Sequence, residues 1–268
     1  MRPEPRKIAG AVCTLALVVS ACGSEAPFPD GRIVDLSHAY AADTIYWPTD
    51  GRGFEYETLA AGPTGAGYWY AAGRFATAEH GGTHIDAPIH FAEGHDAVDE
   101  IPLGRLLGDG ILVDVRTACA ADADYQVRVQ DLLDWEREHG EIPTGALVLL
   151  RTGWSALWGD RRAYLGTDAT GPEAVLALHF PGLDPDAARW LVEQREIAAI
   201  GLDTPSIDHG PSRDFQSHRI LSAGGIPALE NLANLGALPA RGFTLVALPM
   251  KIRGGTGAPL RAVAIVAD

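Results

Sequence analysis

Six apolar, β-rich runs recur along the chain and predict β-strands, and several of them are nearly uninterrupted, as buried strands are. A strand that is covered on one face alternates apolar and polar residues, so a continuous run indicates a strand that is covered on both faces. The pattern therefore predicts an interior sheet in a mixed α/β domain. The runs are Arg32–Ser37, Ile111–Val115, Ala146–Thr152, Ile197–Leu202, Phe243–Leu248 and Leu260–Val266.

Two segments between these runs predict helices. Residues 129–139 have apolar side chains at helical spacing and are followed by Gly140, a residue type common at helix C-termini. Residues 185–195 follow an N-cap residue, Asp184, and begin with a proline, which fits the first turn of a helix. The run Ile197–Leu202 follows the second helix, so Asp203 lies at the end of a predicted strand. Functional sites are common at strand ends in α/β sheets.

The segment from Glu79 to Phe91 places ligand-type side chains at even-numbered positions. Alternate side chains share a face of an extended strand, so this spacing can aim them at one point. A helical alternative, with two histidines at i and i+4, is disfavoured because glycines separate them and Pro88 follows. The period-two pattern predicts a metal site. Its members are His80, His84, Asp86 and His90.

Two details of this segment affect the geometry. Gly82 lies between His80 and His84 on the same face, where a missing side chain leaves room for an ion or its water. A fully extended strand would separate His80 from His90 by about 33 Å. The chain must therefore bend near Pro88 if His90 is to face the same site.

The segment matches the pattern His-x-Gly-Thr-His-x-Asp-x-Pro-x-His and resembles the cyclase-like metal-dependent hydrolases, which include bacterial kynurenine formamidases and isatin hydrolases. The similarity continues in Arg151–Trp154, in Gly201–Asp208, at His218 and at Glu230. It covers about residues 31–268. The resemblance implies an α/β domain of the swivelling β/β/α type, a cyclase-like fold whose sheet-based, barrel-like core is flanked by helices.

The ligand set determines which metal is expected. His80, His84 and Asp86 offer two nitrogens and one carboxylate and leave coordination positions open for water. The resemblance adds His218 and Glu230, which complete the site and could hold a second ion. Nitrogen and oxygen donors suit zinc first and manganese second. We therefore expect Zn²⁺, as one or two ions, with Mn²⁺ as the alternative.

Such a site predicts hydrolysis of an amide, formamide or lactone, since a metal ion supplies hydroxide near neutral pH and polarises the carbonyl. The family assigns the histidine matching His90 the role of proton shuttle; orientation of a ligand by His90 is the alternative. The resemblance favours an arylformamidase-like activity on N-formylkynurenine, as in tryptophan catabolism, with isatin-type cyclic imides or lactones as the alternative substrates. A metal-binding lipoprotein without catalysis is a further alternative.

Two aromatic runs, Tyr46-Trp47-Pro48 and Tyr68-Trp69-Tyr70, could contact an aromatic substrate. Of these residues Trp47 is the best candidate, because family members carry a pocket-lining aromatic near the start of the domain. The formal net charge of −14 argues against nucleic-acid binding, which requires Lys and Arg to displace counterions. The expected partners are a small aromatic amide or lactone and further copies of the chain, since family members generally form homodimers or homotetramers.

The N-terminus predicts export. A basic start and a short apolar stretch precede Val19-Ser20-Ala21-Cys22, which resembles a bacterial lipobox. Residues 1–21 are then a signal peptide, Cys22 carries lipid, residues 22–30 form a tether, and residues 31–268 form the hydrolase domain. We expect a chain anchored through Cys22 to the outer face of a bacterial membrane. Cys119, alone in the domain, is expected to be a small structural residue.

Overall fold

The structure is a computed structural model, and it describes residues 31–267. The predicted signal peptide, Cys22 and the tether lie outside these residues. Twelve strands lie within the described range: β1 (Arg32–Asp35), β2 (Glu55–Pro63), β3 (Trp69–Ala76), β4 (His84–Asp86), β5 (Leu107–Asp114), β6 (Gln126–Val127), β7 (Leu147–Arg151), β8 (Gly182–Leu183), β9 (Ala199–Leu202), β10 (Ala228–Glu230), β11 (Phe243–Pro249) and β12 (Gly257–Val266).

Eight of these strands form one sheet in the order β1-β12-β11-β5-β7-β9-β10-β4, and β4 also pairs with β12. The additional pairing closes seven strands into a ring, with β1 added alongside β12. Strands β5, β7, β9 and β10 are parallel, and β4 is antiparallel to both of its neighbours. The predicted fold class is confirmed, because the sheet forms a barrel-like core with helices around it.

Each of the six predicted runs overlaps a strand, with boundaries shifted by up to a few residues. Strand β7 shows why its run has no polar interruption. Leu147 and Leu149 belong to one buried cluster, whereas Val148 and Leu150 belong to a second cluster on the other face. Because apolar side chains cover both faces of the strand, every position selects an apolar residue.

Five α-helices lie within residues 31–267 beside the sheet: α1 (Arg116–Ala121), α2 (Val129–His139), α3 (Arg161–Leu165), α4 (Pro185–Trp190) and α5 (Gln216–Ala223). Both predicted helices are confirmed. Helix α2 ends at Gly140, whose φ of 84° favours glycine. The carboxylate of Asp184 caps α4 by accepting from the Asp186 amide, and the chain continues as a π-helical turn, Leu191–Arg195. No helix within residues 31–267 is long and apolar enough to cross a membrane.

The hairpin of β2 and β3 was not predicted from the apolar runs. Among the described strands, β2 and β3 pair only with each other. Their side chains are mostly exposed, and they include large apolar residues such as Tyr56 and Trp69, which are 64% and 67% exposed. Without a covered face, the hairpin lacks the periodicity that marks a strand in the sequence.

Candidate metal centre

Strand β4 brings the first two ligand-type residues to one face. His84 and Asp86 alternate with Ile85, which points into the apolar core and is fully buried. Strand β10 runs antiparallel beside β4 and places Glu230 directly opposite His84. The Nε2 atom of His84 lies 3.2 Å from Asp86 Oδ1 and 3.4 Å from Glu230 Oε2. Sheet pairing thus joins side chains that are far apart in sequence.

His80 reaches the same place from a turn rather than from the strand. Its Nδ1 atom lies 2.7 Å from Asp86 Oδ1. The expectation that Gly82 leaves room for an ion is wrong. Gly82 has φ of +58°, and a Cβ atom there would lie 2.6 Å from the Tyr40 ring. The residue must be glycine because the chain turns tightly against Tyr40.

His218 enters from the first turn of α5. Phe215, before this helix, has φ of +50°, a conformation that non-glycine residues rarely adopt. The His218 Nε2 atom lies 3.1 Å from Asp86 Oδ2 and 3.2 Å from Glu230 Oε1. Its Nδ1 atom lies 2.6 Å from Asp208 Oδ2. A carboxylate behind a histidine in this way fixes the ring and directs its other nitrogen toward a metal.

The side chains form two clusters of potential ligand atoms, and Asp86 belongs to both. Its Oδ1 faces His80 and His84, whereas its Oδ2 faces His218. The donor set fits a metal because the buried Nε2 atom of His84 has no hydrogen-bond partner among the described residues. An unpartnered buried nitrogen beside two carboxylates is costly unless a cation binds there. The clusters are His80, His84 and Asp86, and Asp86, His218 and Glu230.

The protonation of these groups supports the same conclusion. Burial by itself would raise the pKa of Asp86, but His80 and hydrogen bonds from the histidines hold it well below the ordinary value. Burial would lower the pKa of His218, yet hydrogen bonds to Asp208, Asp86 and Glu230 raise it well above the ordinary value. Buried carboxylates thus attract positive charge, which protons or metal ions can supply in competition.

His90 lies in a 3₁₀ turn, Pro88–His90, which supplies the bend that the spacing requires. Its ring stacks on that of His80, with centroids 3.9 Å apart and an interplanar angle of 20°. Burial lowers the pKa of His90 to about 4, so its imidazole is neutral at pH 7. Within the described part of the chain its side chain makes no hydrogen bond. His90 therefore keeps a nitrogen lone pair next to the first cluster.

One cleft of about 420 Å³ is lined by the ligand-type residues of both clusters and by His90. Trp47 lies in its wall, together with Phe91 and Phe215. The Trp47 and Phe215 rings are 6.2 Å apart, and the Phe91 and Phe215 rings are 5.5 Å apart. The second aromatic run, residues 68–70, is exposed on the hairpin and does not line this cleft.

Thr204 and Asn231 make hydrogen bonds near the cleft that their residue types alone did not predict. Thr204 donates a hydrogen bond to the carbonyl of Ser206, which lines the cleft. Asn231 has φ of +54° and donates to the Gly82 carbonyl at 2.7 Å, holding the turn before β4. The Thr204 contact is local, whereas the Asn231 contact joins segments that are far apart in the sequence, so no local signal could have identified the role of Asn231.

Two residues singled out in the sequence lie outside the cleft. Asp203 follows β9 as expected, but it is buried and accepts hydrogen bonds from Thr152 and the Gly153 amide, so it anchors a turn. Cys119 is buried in α1, and burial raises its pKa to about 12. The thiol is therefore protonated at neutral pH, in agreement with a structural role.

Comparisons with known proteins agree with this fold. Residues 34–209 match the model of the Cyclase family, described as "Putative cyclase". Isatin hydrolase of Roseibium aggregatum is 38% identical over 213 residues, 76% of each chain. Kynurenine formamidase of Salinibacter ruber is 29% identical over 231 residues, covering 86% of this chain and 96% of that protein. The structure of isatin hydrolase A from Labrenzia aggregata bound to benzyl benzoate superposes with a TM-score of 0.79 at 35% identity, over 88% and 94% of the two chains.

Proposed function

This chain belongs to the Cyclase family as a metal-dependent hydrolase related to isatin hydrolase and kynurenine formamidase, and we propose that it hydrolyses a small, uncharged aromatic amide. The observation that carries this proposal is the pair of ligand clusters sharing Asp86 at the base of an aromatic cleft. The clusters account for metal-dependent hydrolysis, and the aromatic wall accounts for the substrate class.

The two clusters would hold two ions, one between His80, His84 and Asp86 and one between Asp86, His218 and Glu230. Zinc or manganese suits these nitrogen and oxygen donors. When bound, the metal supplies an activated water and polarises the carbonyl of the substrate. Asp86 would contribute a ligand atom to each site, because its Oδ1 faces His80 and His84 and its Oδ2 faces His218.

His90 is the proposed proton shuttle. It is neutral, has a free ring nitrogen and stacks against His80 at the side of the first cluster. A ring nitrogen of His90 accepts a proton from the attacking water and delivers it to the departing nitrogen. The water oxygen bonds to the carbonyl carbon, the carbon–nitrogen bond breaks, and the products are an amine and a carboxylic acid, which loses its remaining proton to solvent. A cyclic amide yields both groups on one molecule.

The charge around the cleft favours an uncharged substrate. Among the described residues that line it, none is Lys or Arg, and Asp50 adds a carboxylate beyond the ligand clusters. Apart from the metal ions, an anionic group of the substrate would find no cationic partner there, which is unfavourable in a partly buried site. Isatin carries no charge, and the related isatin hydrolase A was solved with benzyl benzoate, an uncharged aromatic ester. An isatin-type cyclic amide therefore fits best.

N-formylkynurenine is the second candidate, and Asp50 is the observation that favours it. This substrate carries an ammonium group as well as a carboxylate, and the Asp50 carboxylate in the cleft wall could pair with the ammonium group. The carboxylate of the substrate would find no Lys or Arg among the described residues that line the cleft. We therefore expect activity on N-formylkynurenine to be weaker than activity on isatin.

The test compares isatin and N-formylkynurenine as substrates of the purified protein, before and after metal removal and after adding back zinc or manganese. We expect metal-dependent ring opening of isatin. His90→Ala should abolish turnover while metal content, measured by mass spectrometry, stays unchanged. A protein that binds metal but hydrolyses neither these compounds nor aromatic lactones would support a metal-binding lipoprotein instead. Unchanged hydrolysis by His90→Ala would refute the shuttle.

We further propose a homodimer formed through the hairpin of β2 and β3. A two-stranded hairpin is at best marginally stable alone, and this one exposes large apolar side chains on a mostly solvent-facing arm. Light scattering after size-exclusion chromatography should give twice the chain mass. The double substitution Tyr56→Ser and Trp69→Ser should give the monomer mass, whereas Leu103→Ser, at an exposed apolar residue elsewhere, should not.

The proposed location is the outer face of a bacterial membrane, with lipid on Cys22. This proposal comes from the lipobox-like sequence that ends at Cys22. Mass spectrometry of the N-terminal peptide from a membrane fraction should give a lipidated residue 22. Cys22→Ser should release the protein into the soluble fraction; a wild-type chain with its first residues intact and no lipid would contradict the assignment.

A further inference from the structure

A hydrogen-bonded relay lies behind His80 on the side away from the ligand atoms. The His80 Nε2 atom lies 2.8 Å from the hydroxyl of Thr256. That hydroxyl donates to Glu79 Oε2 at 2.6 Å, and the Thr256 amide donates to the same oxygen at 3.0 Å. Glu79 precedes His80 in the chain, whereas Thr256 comes from the turn before β12. Two distant segments thus meet at one ring nitrogen.

The relay determines which nitrogen of His80 carries the proton. A hydroxyl has one hydrogen, and the Thr256 hydroxyl directs it to Glu79, whose carboxylate can only accept. The hydroxyl oxygen then faces His80 as an acceptor, so the hydrogen between them belongs to Nε2. Without a metal ion, a proton on Nδ1 serves the contact with Asp86; a bound ion would displace that proton, because the one on Nε2 is held by Thr256, and Nδ1 would then offer its lone pair. This is the atom that faces Asp86 in the first cluster.

The other two histidines of the clusters are held differently. His84 Nδ1 lies 3.0 Å from the carbonyl oxygen of Gly82, which can only accept, and His218 Nδ1 lies 2.6 Å from Asp208. Both therefore present Nε2 to the clusters, whereas His80 presents Nδ1. Without a partner that fixes the opposite tautomer, His80 would lose its distinct orientation.

The chain around Thr256 is shaped to receive both members of the relay. A Cβ atom at Gly257 would lie 2.6 Å from His80 Cε1, and one at Gly255 would lie 2.9 Å from Glu79 Oε1. The Ala87 amide donates to the Thr256 carbonyl at 2.9 Å, which ties this turn to the end of β4. The absence of both side chains lets Glu79 and His80 approach the turn closely.

From these contacts we propose that Glu79 and Thr256 are positioning residues that fix His80 in the Nε2-protonated tautomer, with Nδ1 directed at the first metal. The inference rests on the proposed role of His80 as a metal ligand. Partners of this kind change metal affinity by about 10- to 100-fold when they are removed. The relay affects one of the two clusters, because neither of its residues contacts His218 or Glu230.

The test replaces the relay without replacing the ligand. Thr256→Val removes the acceptor for Nε2–H, and we expect about 10- to 100-fold weaker zinc binding at one of the two sites. Thr256→Ser keeps the hydroxyl and should retain affinity. Glu79→Met frees the hydroxyl to donate to Nε2, which should move the ring proton to Nδ1. Thr244→Val, on β11 away from the centre, is the control for a threonine-to-valine change.

Two measurements separate the outcomes. Competition with a chromophoric chelator gives the zinc affinities, and ¹⁵N NMR of histidine-labelled, zinc-loaded protein gives the His80 tautomer. As a control, thermal unfolding checks that each variant folds. The expected result is Nε2 protonation in wild type and Thr256→Ser, with the signal altered in Thr256→Val and Glu79→Met. Wild-type affinity and tautomer in both altered variants would overturn the positioning role alone. A wild type that binds no zinc would overturn the proposed function itself.

Discussion

Asp208 offers a sharp test of how the second cluster is held. Its Oδ2 atom accepts from the His218 ring at 2.6 Å and from the His218 amide at 3.1 Å, while Oδ1 accepts from the Ser217 amide at 3.1 Å. Burial would raise the pKa of Asp208, but the hydrogen bonds from His218 lower it. Asp208→Asn keeps the shape of the side chain, removes the charge and places one NH₂ group opposite a donor.

The expected magnitude follows from these contacts. A buried hydrogen bond to a charged group contributes about 1.5 to 3 kcal/mol. Since 1.4 kcal/mol corresponds to a factor of ten in affinity, Asp208→Asn should weaken metal binding at the second cluster by about 10- to 100-fold. The cluster of His80, His84 and Asp86 should keep its affinity, because Asp208 contacts none of these residues.

The assay is zinc competition with a chelator that resolves two binding steps, together with metal content by mass spectrometry. Asp184→Asn is the matched control, because asparagine caps a helix as well as aspartate does and α4 lies outside the clusters. Two unchanged binding steps in Asp208→Asn would refute the argument that this carboxylate orients His218. Equal weakening of both steps would show that the clusters are not held independently.

Three further predictions concern stability, reactivity and substrate binding. Glu136→Gln should cost about 2 kcal/mol at pH 7, since two hydrogen bonds from Arg195 are charge-assisted. Arg195 holds the pKa of Glu136 below its ordinary value. This stabilisation is therefore present above about pH 4.3 and is lost as the pH falls through the folded-state pKa. Denaturant titrations should give free energies of unfolding for wild type and variant that converge in acid. Cys119 should resist iodoacetamide at pH 8 in the folded protein and react after unfolding, as followed by peptide mass spectrometry. Trp47→Ala should raise KM for isatin about five- to tenfold with little change in kcat, as steady-state kinetics would measure.

The sequence predicted those parts of the fold that repeat a local pattern. The apolar run at Ala146–Thr152 predicted β7 because its two faces are covered by two different clusters. The glycine at the end of α2 and the aspartate before α4 likewise act within a few residues of themselves. The hairpin of β2 and β3 has no covered face, so neither period-two nor continuous apolarity identifies it.

In the candidate site, too, the sequence predicted what depends on local spacing and missed what depends on distant contacts. Period-two spacing predicted that His84 and Asp86 share a face, and it also required the bend before His90. It misassigned Gly82, because the ring that excludes a side chain there belongs to Tyr40, which lies far earlier in the chain. Resemblance alone brought in His218 and Glu230. Their positions depend on strand pairing and on a helix terminus, which local spacing does not encode.

Strand β4 explains why the ligands can come from such distant segments. It has three residues, and it pairs with β10 on one side and with β12 on the other. Pairing with β10 sets Glu230 opposite His84, while pairing with β12 sets Gly257 opposite Asp86 and brings Thr256 to His80. The strand pairings that close the barrel therefore also bring residues of the clusters together. Because a short strand contributes few hydrogen bonds of its own, ions bound between its side chains and those of β10 and α5 would stabilise the closure.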